Sequence, residues 1–114
     1  MNLSPLDLAA QIVNAAEDKK AHDVKTLHLH ELTIMTDYFV ICSGNSTTQV
    51  KAIADNIEEQ LKEQGVNPLR REGLREGHWI LLDYGCVVVH VFLEEERSYY
   101  NLERLWGDAE VVKV

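Results

Sequence analysis

The stretch 78–93 constrains the fold of this chain more than any other part of the sequence. It holds two apolar runs rich in β-branched and aromatic residues, separated by a short break at Tyr84 and Gly85. This pattern is typical of a β-hairpin, because glycine supplies the positive φ that a two-residue turn needs. Neither run alternates cleanly with polar residues, so we predict strands over 78–83 and 86–92 in the interior of a sheet.

The position of the turn predicts which side chains share a face of the hairpin. It sets Trp79 opposite His90 and Asp83 opposite Cys86, on a chemically mixed face, because side chains alternate along a strand. The other face is almost wholly aliphatic, and we expect helices to pack on it. Its members are His78, Ile80, Leu82, Val87, Val89 and Val91.

The rest of the sequence predicts three helices and further strands around the hairpin. Helical spacing and capping residues indicate helices that begin near Ser4, Ser46 and Glu94. Apolar or polar runs of strand length occupy 24–30, 38–42 and 69–72. We therefore predict an α/β (α+β) fold, with a single mixed sheet of about five strands and helices packed mainly on one face.

Length and composition predict one cytoplasmic domain over residues 1–114. No run approaches the roughly 20 apolar residues that span a bilayer, so we expect no membrane association. The N-terminus lacks the basic and apolar regions of a signal peptide. In a reducing compartment, Cys42 and Cys86 are expected to be free thiols.

The charge of the chain predicts the class of its partner. Nineteen acidic residues against eleven basic ones give a net charge of −8. A nucleic-acid backbone requires an extended basic surface, so we expect little direct nucleic-acid binding. The acids are dense in 94–110, and a surface of this sign favours a basic partner. The alternative is that the charge only keeps the chain soluble.

Three arrangements suggest chemistry, and each lacks a necessary part. The turn 43–46 between a strand and a helix could hold a phosphate, as in nucleotidyltransferases, but the neighbouring strand supplies only Asp83 where two carboxylates are needed. His28 and His30 lack a third metal ligand at a recognisable spacing. Cys86 and His90 lie four residues apart on one strand, roughly 13 Å. We therefore predict an interaction module with no catalytic residue, cofactor or metal, and keep a nucleotidyltransferase-like enzyme using the Ser43-Gly44 turn and Asp83 as the alternative.

Three stretches, 36–46, 79–92 and 97–106, together resemble the ribosomal silencing factor family, the Iojap-related proteins. The resemblance implies a nucleotidyltransferase-like fold without known catalysis. It also implies binding to the large ribosomal subunit at ribosomal protein L-fourteen, which blocks joining of the small subunit and represses translation when nutrients are short. A homodimer is a further expectation. This chain has Cys86 where the family usually has Asp at the tip of the hairpin.

The composition and the resemblance together predict a docking surface that is acidic and aromatic. Buried aromatic side chains dominate most interfaces, and acids would complement a basic ribosomal protein. The predicted partner-binding residues are Asp37, Trp79, Asp83, Tyr84, Glu94, Glu95, Glu96, Tyr99 and Tyr100, with Trp106 as a further aromatic candidate.

Overall fold

A six-stranded sheet and three helices make up the described part of the chain in the computed structural model. The structure describes residues 3–29, 36–101, 104, 107 and 109–112, without the side chains of 98–100. The elements in chain order are α1 (Pro5–Asp18), β1 (His22–His28), β2 (Tyr38–Gly44), α2 (Thr47–Lys62), β3 (Arg70–Glu72), β4 (Trp79–Asp83), β5 (Val87–Leu93), α3 (Glu94–Tyr100) and β6 (Glu110–Val112).

The sheet is mixed, in the order β3-β4-β5-β2-β1-β6. Strands β2 and β5 pair in parallel at its centre, and the other neighbours are antiparallel. This confirms the predicted α+β class with a single mixed sheet. The prediction of about five strands missed β6, because three residues at a sheet edge give too short a pattern to read.

Side-chain caps fix the beginnings of α1 and α2 as the sequence predicts. Ser4 Oγ accepts a hydrogen bond from Asp7 N at 3.1 Å, and Ser46 Oγ accepts from Gln49 N at the same distance. The side chain of Gln49 also accepts from Asn45 N at 2.6 Å, so it reaches back over the start of its own helix. Each cap satisfies a backbone donor that the first helical turn leaves unpaired.

The aliphatic face of the hairpin packs against α1 and α2, as predicted. Each of its five aliphatic side chains is fully buried in one cluster with the apolar sides of the two helices; they are Ile80, Leu82, Val87, Val89 and Val91. Burial of this size, at about 25 cal/mol per Å² of apolar surface, is the main term that favours folding.

The hairpin turn lies one residue later than the sequence analysis placed it. Tyr84 N donates to Val87 O at 2.9 Å, so Gly85 and Cys86 form the tip. Asp83 Oδ1 accepts from Gly85 N at 2.8 Å, and Gly85 takes its positive φ of 86° at the first turn position rather than the second.

The predicted pairing across the hairpin was therefore wrong. Trp79 pairs with Phe92, and His90 pairs with Leu81. The register moved by two residues, so the paired strand residues keep their predicted faces, whereas Cys86 lies in the turn and packs on the helix side. None of the described helices has the length and apolar composition that a membrane span requires.

Two glycines with the same φ test how closely the backbone at Gly73 approaches β4. Gly73 and Gly65 share a φ of 79°, but an added Cβ at Gly73 would lie 1.9 Å from Trp79 O, whereas one at Gly65 meets nothing within 4 Å. We expect Gly65→Ala to lower the free energy of unfolding by about 1 kcal/mol, the cost of a left-handed alanine. Gly73→Ala should cost about 3 kcal/mol or more in urea denaturation, because the backbone must also shift. Equal losses in the two variants would contradict this account.

Candidate docking surface

The sheet face opposite α1 and α2 carries a cluster of aromatic rings. This aromatic face comprises Phe39, Trp79, His90 and Phe92, with Leu81 and Val88 beside them. Phe39 meets His90 edge to face at 4.6 Å between ring centroids, and Trp79 stacks on Phe92 at 4.9 Å. Phe92 and His90 are buried, whereas the other four side chains are partly exposed. The aromatic face therefore presents apolar surface over a rigid, packed layer.

A hydrogen bond between Trp79 and His90 fixes the tautomer of the imidazole on this face. Trp79 Nε1 donates to His90 Nδ1 at 3.0 Å, so the neutral imidazole carries its proton on Nε2. His90 is 4% exposed, and burial lowers its pKa from 6.5 to about 4. Nε2 is itself buried and has no hydrogen-bond partner in the described part of the chain. The imidazole is therefore neutral at physiological pH.

The acidic segment Glu94–Glu96 adjoins one end of the aromatic face. It begins α3 directly after β5, where acids are favoured by the positive end of the helix dipole. Leu93 N donates to His78 O at 2.8 Å, next to Trp79. Two histidines flank the segment, with His22 Nε2 and His78 Nδ1 each 3.5 Å from a carboxylate oxygen of Glu94 and Glu96 respectively.

A buried arginine that the sequence analysis did not single out anchors α3 to the sheet. Arg97 donates to the main-chain oxygen of Asp23 at 2.5 Å and to Ser43 Oγ at 2.9 Å, linking α3 to β1 and β2. Its side chain is buried, which an arginine rarely is without such partners. In the sequence its only signal was a cation that follows three acids.

The predicted partner-binding residues divide between the two ends of the sheet. Trp79 and the acidic segment lie at one end. Asp37, Asp83 and Tyr84 lie at the other, beyond the length of β4, about 13 Å along the strand. The structure therefore does not bring all predicted residues into one cluster.

Each residue at the hairpin end has a structural contact. Asp83 holds the turn through Gly85 N, and Asp37 N donates to Cys86 O at 3.0 Å. Tyr84 is 8% exposed and packs in the cluster on the helix side, where burial raises the pKa of its hydroxyl. The backbones of Tyr99 and Tyr100 end α3, but their side chains, like His30 and Trp106, lie outside the described residues.

Comparison with known proteins identifies the family. A family model described as "Ribosomal silencing factor during starvation" matches residues 2–114. The chain belongs to the ribosomal silencing factor family. Among curated proteins, the ribosomal silencing factor of Halalkalibacterium halodurans is 46% identical, covering 98% of this chain and 96% of that protein. The factor of Bacillus subtilis is 52% identical, covering 83% of this chain and 80% of that protein.

A solved structure supports the same assignment at the level of the fold. The crystal structure of a protein from Chromobacterium violaceum is 38% identical to this chain, with a TM-score of 0.90. The match covers 92% of this chain and 88% of that one. The arrangement of one mixed sheet and three helices is therefore that of the ribosomal silencing factors.

Ribosomal silencing factors are ribosome-binding regulators and not enzymes, and the geometry opposes the nucleotidyltransferase alternative. Ser43 and Gly44 pair with Phe92 and Leu93, at the end of the sheet far from Asp83. The hydroxyl of Ser43 accepts from Arg97. The turn and the carboxylate that this alternative requires are thus separated along the strands by about 13 Å.

The two cysteines are free thiols, as predicted, and neither is activated. Burial raises the pKa of the Cys42 thiol to about 12. At the hairpin tip, burial and the nearby carboxylate of Asp37 raise the pKa of Cys86. A thiol must ionise to act as a nucleophile, so both positions disfavour thiolate chemistry.

The buried imidazole predicts a loss of stability in acid. The unfolded chain binds a proton at His90 below pH 6.5, whereas the folded chain does so only near pH 4. The contribution of the neutral His90 to the free energy of unfolding is therefore complete above pH 6.5 and is lost as the pH falls toward 4. The loss amounts to about 3 kcal/mol. In urea denaturation between pH 7 and 4, His90→Gln should lack this part of the decline, since glutamine can still accept from Trp79 without titrating. If the free energy of unfolding fell equally with pH in the parent and the variant, His90 would not be the source of this loss.

Proposed function

We propose that the protein represses translation by binding the large ribosomal subunit at ribosomal protein L-fourteen. Bound there, it sterically blocks association with the small subunit when nutrients are limiting. Membership of the ribosomal silencing factor family supports ribosome binding and silencing. The observation that carries the finer proposal is the aromatic face with the fixed acidic segment Glu94–Glu96 at its edge.

The aromatic face supplies the apolar centre of the proposed contact. Interfaces commonly combine a desolvated apolar centre, often containing tryptophan, with a polar rim. Trp79 and Leu81 are partly exposed over a rigid layer, so little side-chain freedom is lost when a partner covers them. Trp79 is the central anchor in this proposal.

The acidic segment supplies the rim that selects a basic partner. Glu94 and Glu95 are exposed and Glu96 is partly exposed. Arg97 holds their backbone to the sheet, so the charges keep a fixed position relative to Trp79. A fixed negative patch raises the rate of encounter with a positive surface and disfavours direct binding to RNA phosphates.

The remaining predicted residues lie outside the centre of the proposed contact. Asp37 and Asp83 form a second acidic patch at the hairpin end. A partner large enough to span the sheet would contact both patches. Tyr84 supports that end from within the core. Tyr99 and Tyr100 stay predicted contacts at the end of α3.

The same proposal includes the domain organisation, the cellular compartment and the oligomeric state of the protein. We propose that residues 1–114 act as one silencing domain; the family model matches residues 2–114. We propose that it acts in the cytoplasm, where ribosomal subunits join. A homodimer stays a prediction.

The acidic segment can be tested by removing its charge. Replacing Glu94, Glu95 and Glu96 with Gln should slow association with purified large subunits about tenfold or more at low salt, because charge steering acts mainly on the on-rate. Dissociation should change less. Stopped-flow or surface-based kinetics at about 50 and 300 mM salt would measure both, and the difference from the parent should shrink as salt screens the charges.

A charge-matched control comes from the other side of the molecule. Asp55 and Glu59 are exposed on α2, and Glu63 is exposed at its C-terminal cap; α2 packs on the opposite face of the sheet. Their replacement by Asn and Gln removes the same net charge and should leave association within about twofold of the parent, because steering depends on where the charge lies. If both triple variants bind alike, the acidic segment serves solubility alone.

The aromatic face can be tested with a matched pair of leucine variants. Leu81→Lys places a cation among Trp79 and its neighbours, and should weaken binding to large subunits at least about tenfold and restore subunit joining. Leu6→Lys makes the same change on α1, where the leucine is 42% exposed on the helix side. It should bind and silence like the parent. A folded Leu81→Lys variant with parental affinity would move the contact away from this face.

A further inference from the structure

The beginnings of β1 and α3 bring together three side chains of the kinds that bind metal ions. They are His22, Asp23 and Glu94, and one ligand atom from each lies within 4.8 Å of the others. The cluster contains an imidazole as well as two carboxylates, and it lies apart from the hydrogen bond between Trp79 and His90. The aromatic face does not include it, and Glu94 is the one residue that it shares with the acidic segment.

The imidazole nitrogen in this cluster lacks a satisfactory partner. His22 Nε2 is withdrawn from solvent and makes no hydrogen bond within the described residues. The nearest carboxylate oxygen, Glu94 Oε1, is 3.5 Å away, too far for a normal hydrogen bond. A buried polar atom without a partner costs free energy, which a cation placed between the nitrogen and the carboxylates would recover.

The spacing of the ligand atoms suits a small divalent ion. Zinc binds histidine nitrogen and carboxylate oxygen at about 2.1 Å, so neighbouring ligands in a tetrahedral site lie about 3.4 Å apart. The separation of 3.5 Å between His22 Nε2 and Glu94 Oε1 matches this value. Asp23 is exposed, so its carboxylate can turn toward the same point.

An irregularity in β1 creates the cluster. Consecutive residues of a regular strand point to opposite faces, so His22 and Asp23 would ordinarily diverge. Here the register with β2 breaks between His22 and Lys25, and Asp23 has a positive φ of 51°. Arg97 donates to the main-chain oxygen of Asp23 and holds this conformation. Bulges of this kind re-aim side chains.

We propose that His22, Asp23 and Glu94 form a binding site for a divalent transition-metal ion of the zinc class, with water completing its coordination. One imidazole nitrogen with two carboxylates favours zinc over magnesium, which prefers oxygen ligands and retains its water. The charge of Arg97 opposes a cation nearby, but its donors engage Ser43 and Asp23, and two carboxylates outweigh it.

Titration of the full chain with zinc chloride tests the site. Calorimetry of the parent should give one zinc ion per chain, and magnesium chloride should bind far more weakly. His22→Gln and Glu94→Gln should each weaken zinc binding at least about tenfold, since loss of even an outer partner of a metal ligand costs that much. At a fixed concentration, zinc should also raise the Tm of the parent more than that of either variant, because an ion that binds only the folded chain stabilises it more as its affinity rises.

The pair His78 and Glu96 provides the matched control. It repeats the separation of 3.5 Å between imidazole nitrogen and carboxylate oxygen, but belongs to no three-ligand cluster in the described ranges. His78→Gln should therefore bind zinc within about twofold of the parent, since it removes no ligand. Circular dichroism checks the fold of each variant, and Glu94→Gln, at an exposed position, gives the same test if His22→Gln does not fold.

Three results would overturn the site: a parent that does not bind zinc, a folded Glu94→Gln variant with parental affinity, or an equal loss in His78→Gln. The titration contains no ribosomes, so its outcome is separate from that of the proposed silencing function.

Discussion

Strand β5 is buried on both faces, and the rest of the structure depends on it. Val87, Val89 and Val91 pack toward α1 and α2, while His90 and Phe92 pack into the aromatic face. A strand covered on both sides must pair on both edges as well, because its buried backbone groups need partners. Parallel pairing with β2 and antiparallel pairing with β4 meet this requirement, and they set the positions of Trp79 and Asp83 on β4 and of Glu94, which directly follows β5.

The sequence predicted the hairpin because two apolar runs flank a glycine, and it predicted the faces because side chains alternate along any strand. It did not predict the register, which a local interaction decides. Asp83 accepts from Gly85 N and so places Gly85 first in the turn, and the pairing shifts with it. Composition alone could not place Tyr84 in the core, since tyrosine is common in both cores and interfaces. The short edge strand β6 was missed because three residues hold too little pattern.

The site was less predictable than the fold, because it depends on contacts between distant parts of the chain. The sequence indicated an acidic segment beside a tryptophan, and the structure places Trp79 and Glu96 at one end of the sheet. Nothing in the spacing of Arg97 relates it to Asp23 or Ser43, which lie 74 and 54 residues earlier. That contact turns a run of surface acids into a patch of fixed position. Electrostatic selectivity requires such fixed charges, because a mobile segment would average its field over many directions.

The parallel pairing of β2 with β5 has a consequence for synthesis of the chain. Strand β5 inserts between β2 and β4, so the centre of the sheet is contributed by a late part of the sequence. While residues 87–93 remain in the ribosomal exit tunnel, β2 exposes one unpaired edge, and the apolar sides of α1 and α2 lack the surface that Val87, Val89 and Val91 supply. Non-local pairing of this kind slows folding, since a long loop must close before its contacts form. The centre of this sheet therefore forms only after residues 87–93 have left the ribosome, on which the family of this protein acts.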